Sequence, residues 1–236
     1  MSELRVIPLA GVPDIRPGDD LAALLAEAAR FEDGDVLVVA HKVVSKAEGR
    51  VVRLDEVEPS ERARELAGDE DPRRLEVVLR EAARVVRARP PLVIAETRHG
   101  FVCASAGVDA SNAPDAGTLV LLPIDPDASA ARLRDALGVA VVISDSFGRA
   151  WRRGTTDVAI GAAGLTTLLD LAGRRDVTGY ELHATAIAVA DEIAGAAELV
   201  MGKLTGVPAA IVRGLSLAGN GTARDLVMPP ERDLFR

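Results

Sequence analysis

A chain of 236 residues, 48% hydrophobic and 27% charged, carries enough apolar side chain for a substantial core and is globular rather than disordered. Its 28 basic and 36 acidic residues leave a net charge of −8, which argues against a nucleic-acid surface, where a basic stripe is needed. The single cysteine, Cys103, excludes an intrachain disulfide and a thiolate metal cluster.

Aromatic residues are only 3%, so the core is expected to consist mainly of Val, Leu, Ile and Ala. The opening MSELRVIPLAG lacks the charged run and apolar stretch of a signal peptide, and no apolar run is long enough to span a bilayer. A cytoplasmic protein with no membrane partner is the expectation. Short runs rich in branched residues, bounded by Gly, Pro or Asp, predict strands at Leu4–Pro8, Val36–Ala40, Leu92–Ala95, Leu119–Leu122, Val139–Ser144 and Ala209–Val212. Between them, Leu21, Leu24, Leu25 and Ala28 recur at helical spacing, and Ser60 is placed to cap a helix over Glu61–Ala67. Pro72 suits the first turn of another helix, with Leu75, Val78, Leu79, Ala82 and Val86 on one face. Ala184–Leu199 predicts a long buried helix, and His99–Gly100 a hairpin between two strands. The fold class is therefore α/β with some antiparallel pairing, in one domain over 1–236; the stretch 123–128 is either a subdomain boundary or a surface loop.

Four segments carry residues suited to chemistry. HKVVSKAEGR, residues 41–50, follows a strand and reads as a turn whose Lys42 and Lys46 ammonium groups and backbone N–H donors suit phosphates. Taken alone, a solvated turn is its plainer reading. AGVDASNAP, residues 106–114, offers Asp109, Ser111 and Asn112 oxygens for a hard cation, although these are also common turn residues. In ISDSFGRAWRRGTTD, residues 143–157, the strand runs into Asp145 and Ser146, a carboxylate and hydroxyl that can set Mg²⁺ or Mn²⁺ against a phosphate. Arg149, Arg152 and Arg153 follow, with forks for phosphate or carboxylate. MGKLTGVPAAIVRG, residues 201–214, is a Gly/Lys turn leading into a strand. It is no Walker loop, because Leu204 stands where Ser or Thr must hold magnesium. No GxGxxG fingerprint and no nucleophile triad occurs, and His41, His99 and His183 lack metal-ligand spacing. Asp191 and Glu192 suit a helix cap or ion pairs better than a site.

Together these segments resemble the coenzyme F420:L-glutamate ligases, the F420-0 gamma-glutamyl ligases. The likeness runs from VIPLAGVPDI through VVSKAEGR, AGVDASN, SDSFGRAWRRG and VADEIA to MGKLTGVPAAIVRG, nearly the whole chain. The resemblance implies an unusual α/β fold in an intertwined homodimer that joins L-glutamate to the lactyl-phosphate carboxylate of F420-0 or its dehydro form. GTP is consumed to GDP and phosphate through an acyl phosphate, with Mg²⁺ or Mn²⁺ required and K⁺ assisting. It further implies metal binding at Asp109, Asp145 and Ser146. Nucleotide contacts fall at Val12, Pro13, Asp14, Ile15, His41, Lys42, Lys46 and Asn112, and along the loop Met201, Gly202, Lys203, Leu204, Thr205, Gly206 and Val207. Lys46 and Arg149 would offset charge during phosphoryl transfer. In archaeal members a metal-binding glutamate follows the Met-Gly pair; here Lys203 stands there, so either its ammonium reaches toward a phosphate in place of a second metal, the favoured expectation, or the second ion is held elsewhere by Ser146 and substrate oxygens. Some bacterial members carry a C-terminal flavin-binding reductase domain; the expectation here is either a free-standing ligase or the ligase part of such a longer protein. Another metal-dependent phosphoryl-transfer enzyme acting on a phosphorylated small molecule, or a non-catalytic nucleotide- or cofactor-binding protein, would also use these residues.

Overall fold

A computed structural model describes residues 3–235. Strand β1 (Arg5–Pro8) leads to α1 (Leu21–Ala28), whose first turn is capped by the Asp20 carboxylate accepting from the Ala23 N–H. Strand β2 (Val36–Ala40) passes directly into α2 (His41–Ala47). Residues 41–47, expected as a turn, are thus two turns of helix. The segment is too short to display a helical period, but Val43 and Val44 turn into the core and hold it there.

Next come β3 (Val51–Arg53), α3 (Glu61–Ala67) under its Ser60 cap, and α4 (Pro72–Glu81). The last helix stops five residues short of Val86. From Ala82 the chain is β4 (Ala82–Arg89), paired antiparallel with β5 (Leu92–Thr97). Register shifts at Ala82/Arg84 and Val85/Arg87 break the two-residue alternation, which is why the sequence reads as helical there. Strand β6 (Val102–Ala104) returns from β5 through the expected His99–Gly100 turn, where Gly100 takes a φ of +93°. Strand β7 (Thr118–Val120) pairs with β3 and ends before Leu121 and Leu122.

The stretch 123–128 leads into α5 (Pro126–Leu137), capped by Asp125 and closed by Gly138 in the left-handed region. Strand β8 (Ala140–Arg149) runs five residues beyond its expected end and turns into β9 (Arg152–Ala163), giving one long hairpin. A small hairpin of β10 (Leu169–Asp170) and β11 (Ala186–Ile187) precedes α6 (Val189–Met201). Residues 184–188, expected as helix, include the β11 partner of β10, so α6 starts later and ends later than the sequence suggests. Strand β12 (Ala209–Arg213) is the last.

The main sheet has the order β1-β12-β2-β8-β9, with only the central β2–β8 pair parallel. Val36, Val38, Val142, Ala210 and Val212 face α6, whereas Leu37, Val39, Val141, Ile143 and Ile211 face α1, α2 and α5. Burial on both faces explains the unbroken apolar runs of β2, β8 and β12. Each fully buried Val, Leu or Ile stabilises this arrangement by about 1.5–3 kcal/mol relative to exposure. A third cluster, drawn from residues 57–121, packs α3 and α4 against β5 and β7. Mixed pairing, with helices on both faces, is the α/β class expected.

Helix α5 sits on β9 so closely that a Cβ on Gly161 would lie 2.4 Å from the Pro126 carbonyl oxygen. Gly161→Ala is expected to lower stability by roughly 1–3 kcal/mol through overpacking. Urea unfolding checks this; an unchanged midpoint would mean that the start of α5 gives way freely.

Candidate active site

Six stretches of chain meet around a cavity of about 480 Å³: the loop at Val12–Asp14, the β2–α2 junction, Asn112–Ala113, the middle of β8, Asp157 of β9, and the end of α6 with its following loop. The parallel pairing of Ala40 with Ser144 sets the junction, for it brings His41 beside Asp145. The His41 ring is buried; Nδ1 lies 3.4 Å from Ser45 Oγ. Its Nε2 lies 3.3 Å from Asp145 Oδ1 but makes no hydrogen bond among the described residues. Asp145 Oδ1 accepts from the Ser146 N–H, and Oδ2 makes no contact of this kind among the described residues.

Helix α2 aims its two lysines at different acids. Lys46 Nζ lies 3.2 Å from Asp14 Oδ1. Lys42 Nζ lies 2.7 Å from Asp109 Oδ2 and donates to Ser111 Oγ at 2.6 Å. Ser111 in turn donates to Asp109 from both its N–H and its hydroxyl. Burial alone would push the Asp109 carboxyl up, but the bonds from Lys42 and Ser111 outweigh it and hold the group at about 2. Asn112, next along, occupies the left-handed region at φ +55°, which Asn tolerates. Across the cavity, Asp157 accepts hydrogen bonds from Ser144 and Ser146, and Glu198 projects from α6. Burial, and then the charge of Asp157, raise the Glu198 carboxyl, with Lys203 and Lys42 opposing.

Of the residues singled out in the sequence, Val12, Pro13, Asp14, His41, Lys42, Lys46, Asn112, Asp145, Ser146, Met201, Gly202, Lys203, Gly206 and Val207 line the cavity. Others do not. Ile15 is buried in the main core, and Leu204 projects into solvent. Thr205 shapes its loop, with its hydroxyl donating to the Met201 carbonyl and accepting from the Val207 N–H. Asp109 stands behind Lys42 rather than on the cavity wall. Arg149 lies at the tip of the β8–β9 hairpin, where it donates to the Arg153 carbonyl, because β8 does not end at Asp145. Asp191 accepts from the Ala159 N–H, tying α6 to β9.

Asp157 and Glu198 were not legible as site residues. The hairpin register that sets Asp157 opposite Ser146 is hidden once β8 is ended early. Glu198 lies three residues before Met201, a helical spacing that points both to one side. Among the described residues no three His, Cys, Asp or Glu side chains are grouped to hold a metal ion by themselves. What the cavity offers is oxygen: carboxylates and hydroxyls, the donors of a hard cation that completes its shell with water and substrate phosphates.

Residues 11–214 match the family model F420-0:Gamma-glutamyl ligase. The chain is 50% identical to the coenzyme F420:L-glutamate ligase of Methanopyrus kandleri, covering 99% of this chain and 98% of that protein. It is 45% identical to that of Archaeoglobus fulgidus, covering 99% and 96%, and 40% identical to that of Methanocaldococcus jannaschii, covering 100% and 99%.

The Lys42–Asp109 pair favours folding above the ordinary carboxylate value of 3.8, and that contribution is lost as pH falls from there toward about 2. In Lys42→Met the largest lowering influence is gone, so Asp109 should titrate higher and the contribution should shrink. Carboxyl ¹³C shifts followed across pH read this directly; an unmoved Asp109 titration would assign its low value to Ser111 instead.

Proposed function

The chain belongs to the F420-0:gamma-glutamyl ligase family, and from that premise we propose that it joins L-glutamate to coenzyme F420-0 at the expense of GTP. The observation that carries this reading is the single cavity in which Lys42, Lys46 and Lys203 face Asp145, Asp157 and Glu198. Amide formation from a carboxylate requires activation. The γ-phosphoryl group of GTP passes to a carboxylate oxygen of F420-0: a P–O bond to that oxygen forms, the bond to the β-phosphate oxygen breaks, and GDP leaves. The glutamate amine, having lost a proton, then attacks the acyl carbon and inorganic phosphate departs.

Phosphoryl transfer of this kind depends on positioning and charge neutralisation more than on covalent chemistry by the protein. Lys46, its side chain 8% exposed, is held on the cavity wall by α2 and by Asp14. A nucleotide phosphate would compete with Asp14, an exposed partner, for that ammonium. Lys203, on the loop after α6, brings a further positive charge that needs no metal. Val12–Asp14 and Asn112, with Met201, Gly202, Lys203, Gly206 and Val207, line the rest of the cavity and would enclose a nucleotide. Asp145 and Ser146, with Asp109 once Lys42 turns to a phosphate, would hold Mg²⁺ or Mn²⁺. The free Oδ2 of Asp145 and the all-oxygen donor set fit such a cation. Bound there, the cation would supply Lewis-acid charge to the phosphoryl oxygens. Arg149 is not among the residues that line this cavity and instead donates to the Arg153 carbonyl at the hairpin tip.

Incubation with GTP, Mn²⁺, glutamate and F420-0, followed by mass spectrometry, should give a glutamylated cofactor, with GDP appearing only when both acceptors are present. GDP without a glutamyl product would favour a kinase, and nucleotide binding without turnover a binding protein. Asp145→Asn should cut turnover at least a hundredfold with the fold retained, since it weakens the hold on a cation worth several kcal/mol in the transition state. Near-normal turnover at low Mn²⁺ would remove Asp145 from the site. The homodimer implied by family resemblance accords with the exposed Leu199, Leu204, Tyr180 and Trp151. Light scattering at micromolar concentration should return twice the 24.7 kDa chain mass; a monomer would overturn it.

A further inference from the structure

Asp157 is 5% exposed and takes two side-chain hydrogen bonds, from Ser146 Oγ at 2.7 Å to Oδ1 and from Ser144 Oγ at 2.9 Å to Oδ2. The register explains the pair. Asp157 stands directly across from Ser146 in the β8–β9 ladder, and Ser144, which pairs with Ala159, is its diagonal neighbour. All three side chains line the cavity. A buried carboxylate is costly unless well bonded, and the hairpin does not need it for cohesion. Its ladder continues on both sides of the pair, and most other buried positions of β8 and β9 carry Val, Ile, Ala or Gly.

A hydroxyl has one proton to give and two lone pairs to offer. Because Ser146 gives its proton to Asp157, only lone pairs remain for the cavity, and the side chain is fixed in one rotamer. Asp157 also places negative charge directly behind that oxygen. Both effects favour a cation in front of Ser146 over a hydrogen-bond acceptor such as a phosphate oxygen.

We propose that Asp157 is a positioning residue, which acts through Ser146 by holding its hydroxyl as a lone-pair donor toward a divalent cation, with Ser144 as the second tether of the carboxylate. The inference rests on the reading of Ser146 as a cation ligand. A supporting partner of this kind typically changes metal affinity by about 10–100-fold when replaced.

The test is Mn²⁺ titration of the full chain, with and without GDP, read as free Mn²⁺ by electron paramagnetic resonance, with circular dichroism to verify folding. Asp157→Asn keeps the shape but places an amide N–H₂ against one of the two hydroxyls. It should weaken Mn²⁺ binding by about tenfold. The double variant Asp157→Asn/Ser146→Ala should bind no more weakly than Ser146→Ala alone, because the effect passes through Ser146. Independent, multiplying losses would overturn the proposal, since Asp157 would then act on the cation without Ser146. Unchanged Mn²⁺ affinity in folded Asp157→Asn, with Ser146→Ala weakened, would overturn the proposal and leave Ser146 as a ligand. Equal affinity of Ser146→Ala and the unaltered chain would overturn both. Should Asp157→Asn fail to fold, Ser144→Ala cuts the other tether with Asp157 in place; a loss of about two- to threefold in Mn²⁺ affinity supports the proposal, and no loss overturns it.

Discussion

The parallel pairing of β2 with β8 is the constraint on which the rest of the structure depends. Five residues pair in register, Val36 with Ala140 through Ala40 with Ser144, and the valines and leucine of β2 are buried on both faces. A slip of one residue would exchange the sets that face α6 and α1, so the register has no neighbouring alternative of similar energy. The same register decides where the strands release their chains. β2 ends at Ala40 beside Ser144, so α2 starts with His41 against Asp145 and carries Lys42 and Lys46 onto the cavity wall.

Charge in the cavity follows from that placement. Acids and lysines arrive on different elements, and the buried members among them, Lys46 and Asp157, would be costly without partners. Lys42 with Asp109, and Lys46 with Asp14, satisfy one another. Asp157 is satisfied by hydroxyls instead, and burial, followed by the Asp157 charge, raises the Glu198 carboxyl. A polyanionic ligand with a cation would therefore exchange partners with groups already in place rather than create new buried charge. Such exchange suits a site that must release its products after each cycle, since partners regained on release offset those lost.

Strands with both faces buried, helices with local caps, and several motifs in a fixed order are local properties, and the sequence determined them. The apolar run Val36–Ala40 coincides with β2, Ser60 and Pro72 mark where helices begin, and Asp145, Ser146, Lys42 and Lys46, singled out in the sequence, line one cavity. The family, too, was legible, because motif order along a chain needs no third dimension. Only the tertiary structure decided what depended on partners distant in sequence. β4 is a strand because β5 lies beside it, despite a helical apolar spacing, and β8 outlasts its apolar run because β9 supplies its ladder. Arg149 stands off the cavity and Asp157 lines it for that one reason: a hairpin register is fixed by cross-strand hydrogen bonds, which residues near in sequence do not encode by themselves.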